Sequence, residues 1–174
     1  MDLGLNGRRV LVTGGSQGIG LAVARGFLAE RASVTIVARD EKRLARAAAE
    51  LSQVPGAQVR IESTDLAQPG AAQALADACP DTDILVNNAG AVPTGDIFAV
   101  DETRWREAWD LKVYGYVNLM RAMYAHMRGK NPEERPKVIV NVPSRLPERY
   151  WWDSSDNPLA KTYIDPVPKA KRMR

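Results

Sequence analysis

The sequence has 174 residues, 45% of them hydrophobic, with a net charge of +3. That suffices for one globular domain with its own core and excludes a disordered chain. A single cysteine (Cys79) rules out an intrachain disulfide, and a single histidine (His126) gives a zinc site or a Ser-His-Asp triad little support. Residues 143–174 hold seven Lys/Arg and four Asp/Glu. The body before them is neutral, so the basic excess is no argument for a nucleic-acid-binding domain.

In chain order, strands and helices alternate. Arg9 to Thr13 predicts a first strand that runs straight into glycines, and Gly18 to Glu30 predicts a first helix. Ser33 to Ala38 is β-branched and predicts a second strand. Asp40 can cap a helix over about Glu41 to Leu51. Gln58 to Glu62 predicts a third strand, more polar and at the sheet edge. Pro69 suits the first turn of a helix reaching about Ala78. Asp83 to Val86 is a fourth strand, followed by Asn87-Asn88-Ala89-Gly90. Asp101 opens a long helical stretch in which Val113, Tyr116, Val117, Met120, Tyr124 and Met127 recur as a packing stripe. His126 is expected near a helix end, without chemistry. Lys137 to Val142 is a fifth strand. Such alternation predicts an α/β fold, a doubly wound parallel sheet with right-handed crossovers. No apolar run reaches membrane-spanning length, and Met1 to Asn6 lacks the regions of a signal peptide. The expectation is a cytoplasmic protein that meets neither membrane nor nucleic acid.

The glycines Gly14, Gly18 and Gly20 are spaced G-x-x-x-G-x-G between the first strand and the first helix. Glycine lets backbone approach a ligand closely, and the new helix aims unpaired N–H groups at the turn, which suits a pyrophosphate. In a doubly wound sheet the ligand sits beyond the carboxyl ends of the strands. The glycine turn, Arg39, Asp65 and Asn87 to Gly90 all follow strands one to four and so converge on that edge.

Thr13 to Gly20, Asp65-Leu66, Asn87 to Gly90, Ile139 to Val142 and Ser144 occur in the order and spacing of the short-chain dehydrogenase/reductase family, which the chain resembles over about residues 5–144. The resemblance implies a Rossmann-like sheet in the order 3-2-1-4-5. It further implies an NAD(P)-dependent oxidoreductase that moves hydride between cofactor and a small carbonyl or alcohol. Thr13, Gly14, Ser16, Gln17, Gly18, Ile19 and Gly20 would surround the cofactor pyrophosphate, with Ser16 and Gln17 donating hydrogen bonds. Asp65 would accept from the adenine amino group, and Leu66 would pack its ring. Asn88, Ala89 and Gly90 would line the adenosine ribose and the route to the nicotinamide. An acidic residue after the second strand would favour NAD; here Arg39 can pair with a 2′-phosphate, so NADP is expected over NAD. Arg43 can assist, whereas Gln17 is neutral where many NADP-preferring relatives carry a base. The resemblance is compatible with a homo-oligomer, and no metal is expected.

Two departures stand against activity. Ser144 fits the family's catalytic serine, but none of the five tyrosines (Tyr114, Tyr116, Tyr124, Tyr150 and Tyr163) has a lysine four residues later. The usual separation from Ser144 lands on Asn157, with Lys161 four further on, and Pro158 opposes the helix that would present them. Lys112 stands where the family has an asparagine and reads as a solvated helix residue. After Val142 the composition changes, with five of eleven prolines, the cluster Tyr150-Trp151-Trp152 and a basic end. The expected division is a nucleotide-binding domain over 1–142 and an irregular tail over 143–174. The C-terminal strands would then be missing, as in a truncated or frame-shifted product, and strand five would be an exposed apolar edge. The alternatives to an oxidoreductase are an inactive dinucleotide-binding fragment and an unstable fragment without function.

Overall fold

Val10, Leu11 and Val12 follow one another with no polar alternation, and each is at most 1% exposed. A strand of that kind needs cover on both faces, which a parallel sheet flanked by helices supplies. The computed structural model, which describes residues 3–90, 93, 98–128 and 136–142, has that arrangement. Its strands are β1 (Arg9–Thr13), β2 (Ser33–Ala38), β3 (Gln58–Ser63), β4 (Ile84–Asn87) and β5 (Val138–Asn141). All pair in parallel, in the order β3-β2-β1-β4-β5. The helices are α1 (Gly18–Ala29), α2 (Glu41–Leu51), α3 (Ala71–Ala78), α4 (Glu102–Trp109) and α5 (Tyr116–Met127).

Successive β1 side chains enter opposite layers. Val10 and Val12 join Leu28, Ile36, Leu44 and Leu51 on the side of α1 and α2. Leu11 joins Leu75, Leu85, Leu119 and Met123 on the side of α3 and α5. The strand order reverses between β1 and β4, which puts the crevice beside the carboxyl end of β1. The opposite end is clamped by charge. Asp83 accepts from the Arg9 backbone N–H at 2.9 Å and from its guanidinium at 3.1 Å. Lys137, just ahead of β5, donates to the same carboxylate. Burial opposes the charged form of Asp83, but these donors outweigh it and hold the carboxyl well below the usual carboxylate range.

Three expectations are corrected. Pro69 lies ahead of α3, not in its first turn. Gly70 has φ +79, a left-handed conformation that a continuous helix does not contain, so α3 starts at Ala71. The long helix is interrupted by a π-helical segment, Asp110–Gly115. Its packing stripe also differs. Tyr116, Leu119, Met123 and Met127 are buried, whereas Val117 and Tyr124 are 42% and 58% exposed. The buried set follows i, i+3, i+7 and i+11, and the two exposed residues fall one position past it. His126 does lie in the last turn of α5, where its Nε2 is 3.0 Å from Asp77 on α3.

Candidate functional site

The glycine turn begins where β1 ends. The amides of Gly14 and Gly15 donate to the Val37 carbonyl at 2.7 and 3.2 Å, which commits them to the sheet. The chain then enters α1 with Gln17 extended at the N-cap and no side chain capping the helix. By contrast, Asp40 caps α2 and Asp101 caps α4, each accepting from the backbone N–H three residues on. The first amides of α1 are thus left for an external acceptor, and anions suit that position.

Close packing explains the glycine at position 20. A Cβ there would lie 2.2 Å from the Gly14 carbonyl oxygen and 2.5 Å from Asn88 Nδ2. Gly18 has open space but φ +57, a conformation costly for most L-residues. Gly15 is a residue the G-x-x-x-G-x-G spacing passes over. Its Cβ would be 2.7 Å from Ile36 Cβ, so it sets how closely the turn lies on β2. The only trace of it in the sequence is the doubled glycine after Thr13. Ser16 is half-buried and Gln17 exposed, both at the lip. Ile19 is 65% exposed there, an apolar side chain beside a polar cradle.

The Asn-Asn-Ala-Gly turn is tied to this cradle from within. Thr13 is fully buried. Its hydroxyl accepts from the amides of Asn88 at 2.9 Å and Ala89 at 3.0 Å, and donates to the Val86 carbonyl at 3.4 Å. Asn88 Nδ2 donates to the Thr13 and Gly14 carbonyls at 3.1 and 3.3 Å. Thr13 and Asn88 therefore spend their polar atoms locking two turns together, which their motif positions alone do not disclose. Asn87 lies below, fully buried, with Nδ2 donating to Asn141 Oδ1 at 3.0 Å.

The remaining residues spread along the same edge. Arg39 follows β2 and is exposed, and its carbonyl accepts from the Ser63 hydroxyl. Arg43 Nε lies 3.3 Å from Asp40, so it is partnered by its own helix cap. Asp65 follows β3, and one of its carboxylate oxygens accepts from the Ala67 amide at 3.1 Å in a local turn. Leu66 is 5% exposed and belongs to the core on the α3 and α5 side. Ser144, Asn157, Lys161 and the tail after Val142 lie outside the described residues.

Lys112 is not the solvated residue expected. It sits in the π-helical segment, half-buried, and Nζ donates to Tyr116 Oη at 2.7 Å and to the Val142 carbonyl at 2.8 Å. Burial lowers its pKa, and burial pushes the Tyr116 phenol up to about 12. The π-helical segment that carries Lys112, Asp110–Gly115, is a form frequent at functional sites.

Among the described residues no helix is long and apolar enough to cross a membrane. Residues 8–151 match the family model described as short chain dehydrogenase. The chain is 36% identical over 118 residues to galactitol 2-dehydrogenase (L-tagatose-forming) of Cereibacter sphaeroides, covering 68% of this chain and 46% of that protein. It is 36% identical over 153 residues to a short chain dehydrogenase/reductase of Macrophomina phaseolina, covering 84% of this chain and 86% of that one. The crystal structure of L-sorbose reductase from Gluconobacter frateurii, complexed with NADPH and L-sorbose, superposes with a TM-score of 0.72 at 34% identity. That superposition covers 81% of this chain and 54% of the reductase. The chain thus spans about half the length of the galactitol and sorbose enzymes and most of the fungal relative. With its five-stranded parallel sheet, its glycine cradle and these matches, the chain belongs to the short-chain dehydrogenase family.

Proposed function

We propose that the chain binds NADP(H) along the carboxyl edge of the sheet and serves NADP-dependent hydride transfer between the cofactor and a small carbonyl or alcohol. The observation that carries this reading is the uncapped start of α1, enclosed by a turn where a Cβ at Gly20 would strike backbone. The cradle fits a diphosphate: its donors are backbone amides at the positive end of a helix, and only glycine permits that approach. When bound, the nicotinamide supplies or accepts the hydride; the chain's part is to hold and orient it. Ser16, Gln17 and the amides from Gly18 to Gly20 take the diphosphate. Asn88, Ala89 and Gly90 form the wall toward the reacting end, held there by Thr13. Asp65 takes the adenine amino group through the oxygen its turn does not use, with the Leu66 backbone beside it. Arg39 pairs with the 2′-phosphate, and the NADPH in the sorbose reductase complex supports that preference. Residues 1–142 form this nucleotide-binding unit, with Ser144 just beyond it.

A second reading, a dinucleotide-binding module without turnover, is favoured by one observation, the absence of any Tyr-x-x-x-Lys. Titration with NADPH and NADH, beside an assay of NADPH oxidation over a panel of ketones, separates the two. Tighter NADPH binding with turnover is the expected result, and binding without turnover selects the second. An Arg39→Asp variant should lose about 10- to 100-fold in NADPH affinity, the worth of one charge-assisted pair, while keeping that for NADH. Tighter NADH binding by the unmodified chain would refute the NADP assignment.

A further inference from the structure

We propose that Lys112 is the proton donor at the reacting end of the dinucleotide cleft, and that Tyr116 is its positioning residue. The inference rests on the NADP(H) reading above, and names the acid which that reading lacks. Four observations carry it.

The first is place. A Cβ on Gly90 would meet Lys112 Cδ at 2.7 Å and Nζ at 3.4 Å, so the lysine stem lies directly on the Asn-Asn-Ala-Gly turn. Its Nζ reaches the Val142 carbonyl at the end of β5. The ammonium therefore stands at the carboxyl edge, over β4 and β5. That is the side of the switch point away from Arg39 and Asp65, which follow β2 and β3.

The second is hydrogen-bond capacity. An ammonium has three N–H donors. Among the described residues two are committed, one to Tyr116 Oη and one to Val142 O. The third is available to a substrate oxygen.

The third is surroundings. Among the described residues, the groups facing Lys112 are the Tyr116 phenol on α5, the Val142 carbonyl after β5 and Gly90 after β4. None is a carboxylate, and no ion pair holds Lys112 among the described residues. A half-buried amine in neutral surroundings gives up its proton more readily than one in water, and burial does lower its pKa.

The fourth is fixation. Tyr116 is 7% exposed, and Lys112 Nζ lies 4.5 Å from its ring centroid as well as on its hydroxyl. The phenol is too enclosed to meet a substrate, but it fixes the amine. The π-helical segment that presents Lys112 is a form frequent at functional sites.

The step balances. A ketone held beside Lys112 gains hydride at carbon from the reduced nicotinamide and the Lys112 proton at oxygen. The C=O π bond breaks, C–H and O–H bonds form, and the neutral amine is reprotonated by water.

The test uses the full chain with NADPH and a panel of small aliphatic and cyclic ketones. Lys112→Arg keeps the charge and the donors but cannot release a proton. It should bind NADPH within about threefold of the parent and reduce ketones at least about 100-fold more slowly, in line with the loss of a general acid. Tyr116→Phe should keep part of the rate and displace the basic limb of the pH profile, which a merely structural phenol would leave in place. A measurement without variants stands beside these: labelling of Lys112 by trinitrobenzenesulfonate, read by peptide mass spectrometry, should slow at least about fivefold when NADPH is bound. Three results would overturn the inference: parental reduction by Lys112→Arg, Lys112 labelling indifferent to NADPH, or NADPH binding with no ketone reduced. Failure of the parent chain to bind NADPH at all would instead remove the underlying reading, and this inference with it.

Discussion

The unfilled cap of α1 yields a prediction in which stability and affinity move in opposite directions. Gln17 stands at the N-cap with φ −164 and ψ 170, the extended backbone that an N-cap residue adopts. Its side chain makes no cap hydrogen bond. In Gln17→Asp the shorter carboxylate can accept from the amide two or three residues on, as Asp40 and Asp101 do at α2 and α4. An N-cap aspartate is worth about 1 kcal/mol, and its charge on the helix dipole adds roughly 0.3–1 kcal/mol. In a chain of this size that raises the melting temperature by about 3–8 °C. The same carboxylate takes an amide the diphosphate needs and sits beside its charge. At a separation of about 5 Å and an effective dielectric of roughly 20–80, the repulsion alone is about 0.8–3 kcal/mol, or roughly 4- to 160-fold in affinity. Thermal melts of the free protein and fluorescence titration with NADPH measure the two effects. Raising the salt should shrink the affinity loss, because part of it is charge repulsion at an exposed site. A variant that melts higher yet binds NADPH as tightly as the parent would refute the reasoning, since the amides would then not be where the diphosphate sits.

Other substitutions probe the scaffold beneath the site. Thr13→Val leaves the Asn88 and Ala89 amides without their shared acceptor and should cost about 2 kcal/mol by denaturant melt; NADPH binding should weaken as well, and Thr13→Ser should restore both. Gly15→Ala drives a methyl into Ile36 and should cost about 1–3 kcal/mol by the same melt. For Asp83, the carboxyl is held low in the folded chain, so its contribution is fully present above the unfolded carboxylate pKa of about 3.9 and is lost as the pH falls below it. Asp83→Asn should therefore melt lower at pH 7, by about 2 kcal/mol given that the Arg9 side chain is half-exposed, and should flatten the fall in stability below about pH 4.

The parallel sheet was legible because β1, β2 and β4 are short apolar runs bounded by glycine, aspartate or asparagine, and because each is followed by a helical period; its strand order was implied by the family resemblance and not by these runs. The cradle was legible for the same local reason: its glycines lie within one turn of the chain. What pattern could not reveal depends on contacts between distant segments. Thr13 and Asn88 are 75 residues apart, and their mutual hydrogen bonds have no periodicity to announce them. Leu66 was expected against the adenine ring; its burial in the core on the α3 and α5 side depends on segments distant in sequence. Lys112 misled for a related reason. On a regular helix a lysine reads as solvated, but Lys112 lies in a π-helical segment and bonds Tyr116 and Val142, and an irregular turn has no signature in hydrophobic spacing.

The two ends of the sheet are closed by different chemistry, and the difference follows from what each end must leave available. At the amino end, Arg9, Asp83 and Lys137 form a charged cluster across β1, β4 and the start of β5, and Arg8 adds a bond to the Pro136 carbonyl. There the charges hold one another, and the donors on Asp83 keep its carboxyl well below the usual carboxylate range. At the carboxyl end the ties between β1 and β4 are a hydroxyl, an amide side chain and backbone groups, all neutral. A carboxylate at the start of α1 would fill its free amides and repel a diphosphate. Neutral ties hold the turns at the right separation while leaving the helix dipole unopposed. On the NADP(H) reading, the hydrogen bonds of Thr13 and the Asn88 side-chain amide would serve the cofactor by holding the two turns apart with neutral groups.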